Sequence, residues 1–211
     1  MSDKRRAELP SLAVLCSGSG TNLQAIIDAC RRGRLRAKVA VVIANREDAY
    51  ALKRARRLRI PAYFVDRKAY PTLETFEQEL IARIQPHAVR LVCLAGFMRV
   101  LSPIFVRHFA GRILNIHPAL LPSFPGANGV RDALDWGVKV TGVTVHFVDE
   151  EIDHGPILLQ EPIVIREHET KSRLLKRIHV VEHELYPRAI GYVLEGRVRI
   201  AGRRAVVQAK R

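Results

Sequence analysis

What this sequence has little of narrows its function first. It holds three cysteines, Cys16, Cys30 and Cys93, far apart and with no Cys-x-x-Cys pair. That excludes a disulfide framework and a zinc ribbon, and the thiols read as buried groups in a reducing cytoplasm. The eight histidines include no His-Glu-x-x-His spacing and no His/Cys cluster, so no metal is expected. No apolar run reaches the length of a membrane span. Residues 1–10 are charged and lack the apolar core of a signal peptide, and disorder is expected there. Acidic residues are scarce, 21 against 35 basic ones, of which 27 are arginine, for a net charge of +14. Such a balance favours anionic partners, either nucleic acid or small phosphorylated or carboxylated substrates. The basic residues are dispersed, however. Their densest groups, Arg31 to Arg36 and Lys53 to Arg59, fall near expected helix ends. Solvated helix faces account for them, and nucleic acid is not the expected partner.

What is present is an alternation of apolar runs and helical spacings. Leu12–Cys16 reads as a wholly apolar strand of a buried parallel sheet. The turn Ser17-Gly18-Ser19-Gly20-Thr21-Asn22 follows, then a helix with Leu23, Ile26, Ile27 and Cys30 on one face. A glycine-rich turn into a helix start presents free N–H groups and suits an anion, above all a phosphate. It is neither Gly-x-Gly-x-x-Gly nor Walker A, and an empty βα turn is the alternative. Strands are expected at 39–43, 61–65, 91–95 and 113–116, with helices between them, one capped by Asp48 and one starting at Thr72. Four alternations in a row predict a doubly wound, mostly parallel α/β sheet in a single domain, 1–211. After residue 140 the pattern changes to an antiparallel extension. Val140–Val148 alternates, with Thr144 and His146 on a polar, cleft-lining side, and 157–165 is a further strand. A long helix covers 170–194, and 197–211 forms a terminal hairpin or tail.

The chain is organised around Asn115-Ile116-His117-Pro118. In a strand, residues two apart share a face, so an amide and an imidazole stand side by side where Pro118 ends the strand. Ligands of open α/β sheets bind at such carboxyl ends. An oxyanion that develops at a carbonyl needs pre-placed donors, and removing one costs about 10²–10³ in rate. The Asn115 amide and a protonated His117 are suitable donors, and a nearby carboxylate favours the imidazolium.

Several stretches together resemble the folate-dependent formyltransferases: the Ser17–Gln24 turn, Ala95-Gly96-Phe97-Met98-Arg99, Asn115-Ile116-His117-Pro118, Thr144–Val148 and Asp153-His154-Gly155-Pro156. The likeness spans roughly 11–200. It implies a Rossmann-like fold and transfer of a formyl group from 10-formyltetrahydrofolate, a co-substrate, to the amine of a phosphoribosylated glycinamide in purine synthesis. It implies small-molecule substrates and no membrane, and leaves the oligomeric state open. It maps catalysis onto Asn115, His117 and Asp153, with Asp153 favouring the charged imidazole and holding a proton-relaying water. It maps the phosphoribosyl substrate onto Gly20, Thr21, Asn22, His179 and Glu182. It maps folate onto Met98, Arg99, Val100 and Leu101 and onto Asp149, Glu150, Glu151 and Ile152. Three positions depart from the family pattern: Leu73 replaces an arginine, Ala119 a serine and Asn128 a histidine.

Four other readings compete. A methionyl-tRNA formyltransferase suits the charge but normally carries a further tRNA-binding domain. A formyltetrahydrofolate hydrolase normally carries an N-terminal regulatory domain. A non-catalytic nucleic-acid module predicts salt-dependent binding and no response to folate. A zinc site of His117, His146 and Asp153 matches no usual spacing.

Overall fold

The computed structural model describes residues 9–209, so the expected disorder at 1–8 lies outside the described residues. Pro10 is described, and its carbonyl accepts from the Lys38 N–H at 2.9 Å. The strands are β1 (Ser11–Cys16), β2 (Lys38–Ala44), β3 (Ala62–Phe64), β4 (Val89–Leu94), β5 (Ile113–His117), β6 (Val140–Phe147), β7 (Ile157–Val164), β8 (Val198–Ala201) and β9 (Arg204–Val207). The helices are α1 (Thr21–Arg31), α2 (Tyr50–Arg57), α3 (Leu73–Ile84), α4 (Pro103–His108), α5 (Gly129–Asp135) and α6 (Lys171–Leu194).

The strands form one sheet in the order β3-β2-β1-β4-β5-β6-β7-β9-β8. From β3 to β5 every pairing is parallel. β6 then runs antiparallel to β5, and β7 antiparallel to β6. β9 lies parallel to β7, and the β8–β9 hairpin closes that edge. The parallel half is buried on both faces, as its unbroken apolar strands require. Along β1, Leu12, Val14 and Cys16 pack toward α1 and α6, while Ala13 and Leu15 pack toward α3 and α4. α6 crosses the first of these layers without interruption at Pro187. Tyr186 on it is fully buried, its hydroxyl 3.0 Å from the Leu94 carbonyl and 2.9 Å from that of Leu114. Cys16 and Cys93 are buried and Cys30 partly so; burial pushes Cys16 up to about 12 and Cys30 to about 11, which makes both inert thiols. Among the described residues, no helix is long and apolar enough to cross a membrane.

Two expectations need correction. Asp48 does not cap α2: Ala49 holds that position, and the Asp48 carboxylate pairs with Arg46 at 2.9 Å instead. A carboxylate two residues from a guanidinium takes that partner before the helix start. The second concerns Thr144 on β6, expected to line the cleft with His146 and packed against the 119–121 backbone instead. Both residues are buried, because the 118–124 segment and the loop before β7 cover that face.

Candidate active site

The strand order reverses between β1 and β4, the usual place for a ligand crevice in a doubly wound sheet. Two clefts meet there along Gly96, Met98, Arg99, Ile116, Pro118 and Ala127.

The polar cleft grows from the end of β1. Gly20 precedes α1 with φ +69°, and a Cβ on it would stand 2.8 Å from the Ala51 backbone, so only glycine fits. No side chain caps α1, so its first N–H groups face the cleft unclaimed. The turn is braced from α2, where the Ala51 N–H donates to the Gly18 carbonyl and Arg54 Nε to that of Ser19, at 3.1 and 2.8 Å. Asn22 Nδ2 donates to Glu182 Oε2 at 3.0 Å, and His179 Nδ1 lies 2.8 Å from the same oxygen. That bond outweighs partial burial and raises His179 above its ordinary value. Gly20, Thr21, Asn22, His179 and Glu182 thus all line one cleft. Sequence reasoning missed Asn45, Arg46, Arg131 and Lys171, which line it too. Ser17 Oγ donates to Asn45 Oδ1 at 2.6 Å and accepts from the Met98 N–H at 2.7 Å, so it ties the ends of β1 and β2 to the loop after β4. The cations were hidden by the general arginine richness. Asn45-Arg46 directly after a buried strand was the available signal.

The other cleft is mainly apolar. Met98, Arg99, Val100 and Leu101 form one wall, and Asp149, Glu150, Glu151 and Ile152 the other. The first wall is anchored at its far end by buried Glu77, which accepts from the Ser102 N–H at 2.7 Å and from its hydroxyl. On the second, Glu150 pairs with Arg107 at 2.7 Å, both side chains exposed.

Asn115, His117 and Asp153 stand at the inner end of this cleft. Register places Asn115 opposite His146 and His117 opposite Thr144, so all four share one face of the sheet. Asp153 reaches in from the loop before β7. Its Oδ1 accepts from Asn115 Nδ2 at 3.3 Å, and its Oδ2 from the Gly126 N–H at 2.7 Å. His117 Nδ1 lies 3.4 Å from Oδ2, and His146 Nε2 3.6 Å from Oδ1. Burial raises the Asp153 carboxyl. The His146 contact, the Gly126 N–H and the charges of both imidazoles outweigh it, so the group sits below its ordinary value.

His117 Nε2 is 2.8 Å from the Phe124 carbonyl, so both ring nitrogens face acceptors. Burial still dominates: it pulls His117 below its ordinary value against Asp153 and Phe124, which raise it. The expected resting imidazolium therefore gives way to a neutral ring at neutral pH. Asn115 Nδ2 also lies 3.1 Å from His146 Nε2, and His146 Nδ1 is 2.8 Å from the Phe147 carbonyl. His146 lines the cleft as expected. Thr144 does not. Its hydroxyl donates to the Ala119 carbonyl and accepts from the Leu121 N–H and Gln160 Nε2, at 2.7, 3.0 and 2.9 Å, pinning the segment that leads to Phe124. Among the described residues, no three His, Cys, Asp or Glu are grouped to hold a metal. Of the departing positions, Asn128 lines the polar cleft, Ala119 is buried beneath Thr144, and Leu73 opens α3 away from both clefts.

A family model described as formyl transferase matches residues 11–190. The chain belongs to the formyl transferase family. Among formyl transferase relatives, the phosphoribosylglycinamide formyltransferase of Escherichia coli strain K12 is 42% identical over 190 residues, 90% of each chain. The crystal structure of glycinamide ribonucleotide transformylase 1 from Symbiobacterium toebii superposes with a TM-score of 0.95 at 48% identity, over 99% of both chains. A formyltetrahydrofolate deformylase from Pseudomonas syringae pv. tomato shares the fold more distantly. Its TM-score is 0.88 at 27% identity, over 96% of this chain and 67% of that one.

Proposed function

We propose that this chain transfers the formyl group of 10-formyltetrahydrofolate to the amine of N1-(5-phospho-D-ribosyl)glycinamide, a step of purine biosynthesis in the cytoplasm. The observation that carries the reading is that the apolar cleft, with Asn115, His117 and Asp153 at its inner end, meets an unlike polar cleft along Ile116 and Pro118, the chain neighbours of that pair. The polar cleft suits a phosphorylated sugar. Its uncapped helix start, with Arg46, Arg131 and Lys171 around it, takes the phosphate, and Glu182 with His179 takes ribose hydroxyls. The apolar cleft suits a flat folate ring between the 98–101 and 149–152 walls, with its formyl carbon at the inner end.

The chemistry follows from these positions. The amine attacks the formyl carbon, and the carbonyl oxygen becomes an oxyanion. Asn115 and His117 stabilise that oxygen by turning N–H groups toward it from their present partners. Asp153 is ionised at neutral pH, so through a water it takes the proton the amine must lose. The tetrahedral intermediate then expels the folate nitrogen, which takes that same proton back from Asp153 through the water as it leaves. A neutral His117 donates the N–H it already carries to the oxygen as negative charge develops there, so the stabilisation falls on the transition state.

The deformylase likeness marks the rival outcome, in which water replaces the amine. A polar cleft with an unclaimed helix start gives the ribonucleotide a place that hydrolysis would not use. Spectrophotometric turnover of 10-formyltetrahydrofolate, with and without the ribonucleotide, separates the two. The proposal requires turnover that depends on the ribonucleotide. Equal turnover without it refutes the proposal.

A further inference from the structure

The family match stops at residue 190, yet the sheet continues through β8 and β9. The turn between them, Gly202-Arg203, lies against the loop that carries Asp153. Arg203 Nη2 donates to the His154 carbonyl at 2.8 Å, and Arg203 Nη1 rests against the His154 ring, closest to Nε2. His154 Nδ1 is 2.7 Å from Asp149 Oδ2. Asp149 Oδ1 in turn accepts from the Glu151 N–H at 3.1 Å. Arg203, His154 and Asp149 therefore form a chain of contacts that joins the two ends of the 149–154 loop.

That loop needs an outside hold. Asp153 has φ +51°, a left-handed conformation that residues other than glycine adopt uncommonly. At the loop's exit, Gly155 passes so close to the Phe147 carbonyl that a Cβ would stand 2.0 Å from it, which fixes the chain there. Just before Asp153, the residues Glu150, Glu151 and Ile152 are exposed. A surface ion pair alone contributes almost nothing. A bidentate hold on both the backbone and the ring of the residue next to Asp153 limits how far that carboxylate can swing.

We propose that Arg203 is a positioning residue for Asp153. The hairpin beyond the family match clamps the loop so that the carboxylate stays aimed at Asn115 and His117. This rests on the role given to Asp153 above. The test compares full-length wild type, Arg203→Ala and Arg203→Lys by ribonucleotide-dependent turnover and by amide hydrogen exchange. Absence of wild-type turnover would sink the functional reading alone, and exchange would still decide the clamp. With wild-type turnover present, Arg203→Ala lowers kcat about five- to tenfold, within the range that small misplacement of a reacting group produces. KM for the ribonucleotide stays the same. Amides of 150–155 exchange faster while those of β1 and β4 do not change. Arg203→Lys recovers part of kcat, because an ammonium still reaches the His154 carbonyl. Unchanged exchange at 150–155, or unchanged kcat in an active enzyme, overturns the proposal. So does a loss of kcat that comes with faster exchange across the whole sheet and no recovery in the lysine variant.

Discussion

His117 with Asp153 in the apolar cleft, and His179 with Glu182 in the polar one, are the same two kinds of group in different surroundings. The first imidazole is 3.4 Å from its carboxylate and its side chain is 4% exposed; the second is 2.8 Å away and 37% exposed. Distance and burial act together here. Burial dominates at His117 and lowers it, whereas at His179 the short bond to Glu182 dominates and raises it. The first imidazole thus rests uncharged beside an ionised carboxylate. The other is disposed to carry charge already, as suits a site that only binds.

The largest effect expected from breaking this contrast falls on the buried pair. His117→Ala or Asp153→Asn should cut kcat by about 10²–10³ or more, with KM values little changed and the fold intact by circular dichroism. Near-normal turnover in either variant would refute the roles assigned to them. In the polar cleft, Glu182→Gln should act the other way, raising KM for the ribonucleotide about tenfold, as for loss of a charged hydrogen bond, and leaving kcat nearly intact. The same substitution should bring His179 down in an NMR titration, because burial then acts without the carboxylate that opposed it, and leave His117 low.

A smaller effect separates support from contact. Thr144→Val keeps the shape but strips partners from the Ala119 carbonyl and the Leu121 N–H. It should cost about 1–3 kcal/mol in denaturant unfolding. It should also loosen the segment whose Phe124 carbonyl holds His117, so the His117 titration moves while that of His179 does not. An unmoved His117 would show that the segment does not depend on Thr144.

The smallest effect is on stability against pH, where the two histidines have opposite signs. His117 has a depressed folded pKa. Below the ordinary 6.5 the unfolded chain takes the proton more readily, so stability falls as pH drops through that window. His179 has a raised folded pKa. Its contribution is complete below 6.5 and is lost as pH rises through the folded value. NMR midpoints on the same side of 6.5 for both rings would remove the contrast.

Much of this was legible in the sequence, and the part that was not has a physical cause. Unbroken apolar strands and helical spacing gave the parallel half, because burial on both faces leaves a plain signature. The period of two placed Asn115 and His117 side by side. Nothing in local spacing brings Asp153 to them, since it arrives from beyond β6 on a loop 38 residues from Asn115; only the family resemblance pointed to it. The polar face of β6 was visible too, but the pattern could not say that the 118–124 segment would cover it and turn Thr144 into an anchor. The resting charge of His117 was misjudged for the same reason. A nearby carboxylate can be inferred from sequence, but the degree of burial that outweighs it cannot.

The most direct test of the central claim follows the formyl group itself. Wild-type protein is given 10-formyltetrahydrofolate with an isotope-labelled formyl carbon together with the ribonucleotide, and the products are read by carbon NMR. The account predicts that the label appears as a formamide on the ribonucleotide, and that Asp153→Asn nearly abolishes its appearance. Label released as free formate at the same rate with or without the ribonucleotide would contradict it.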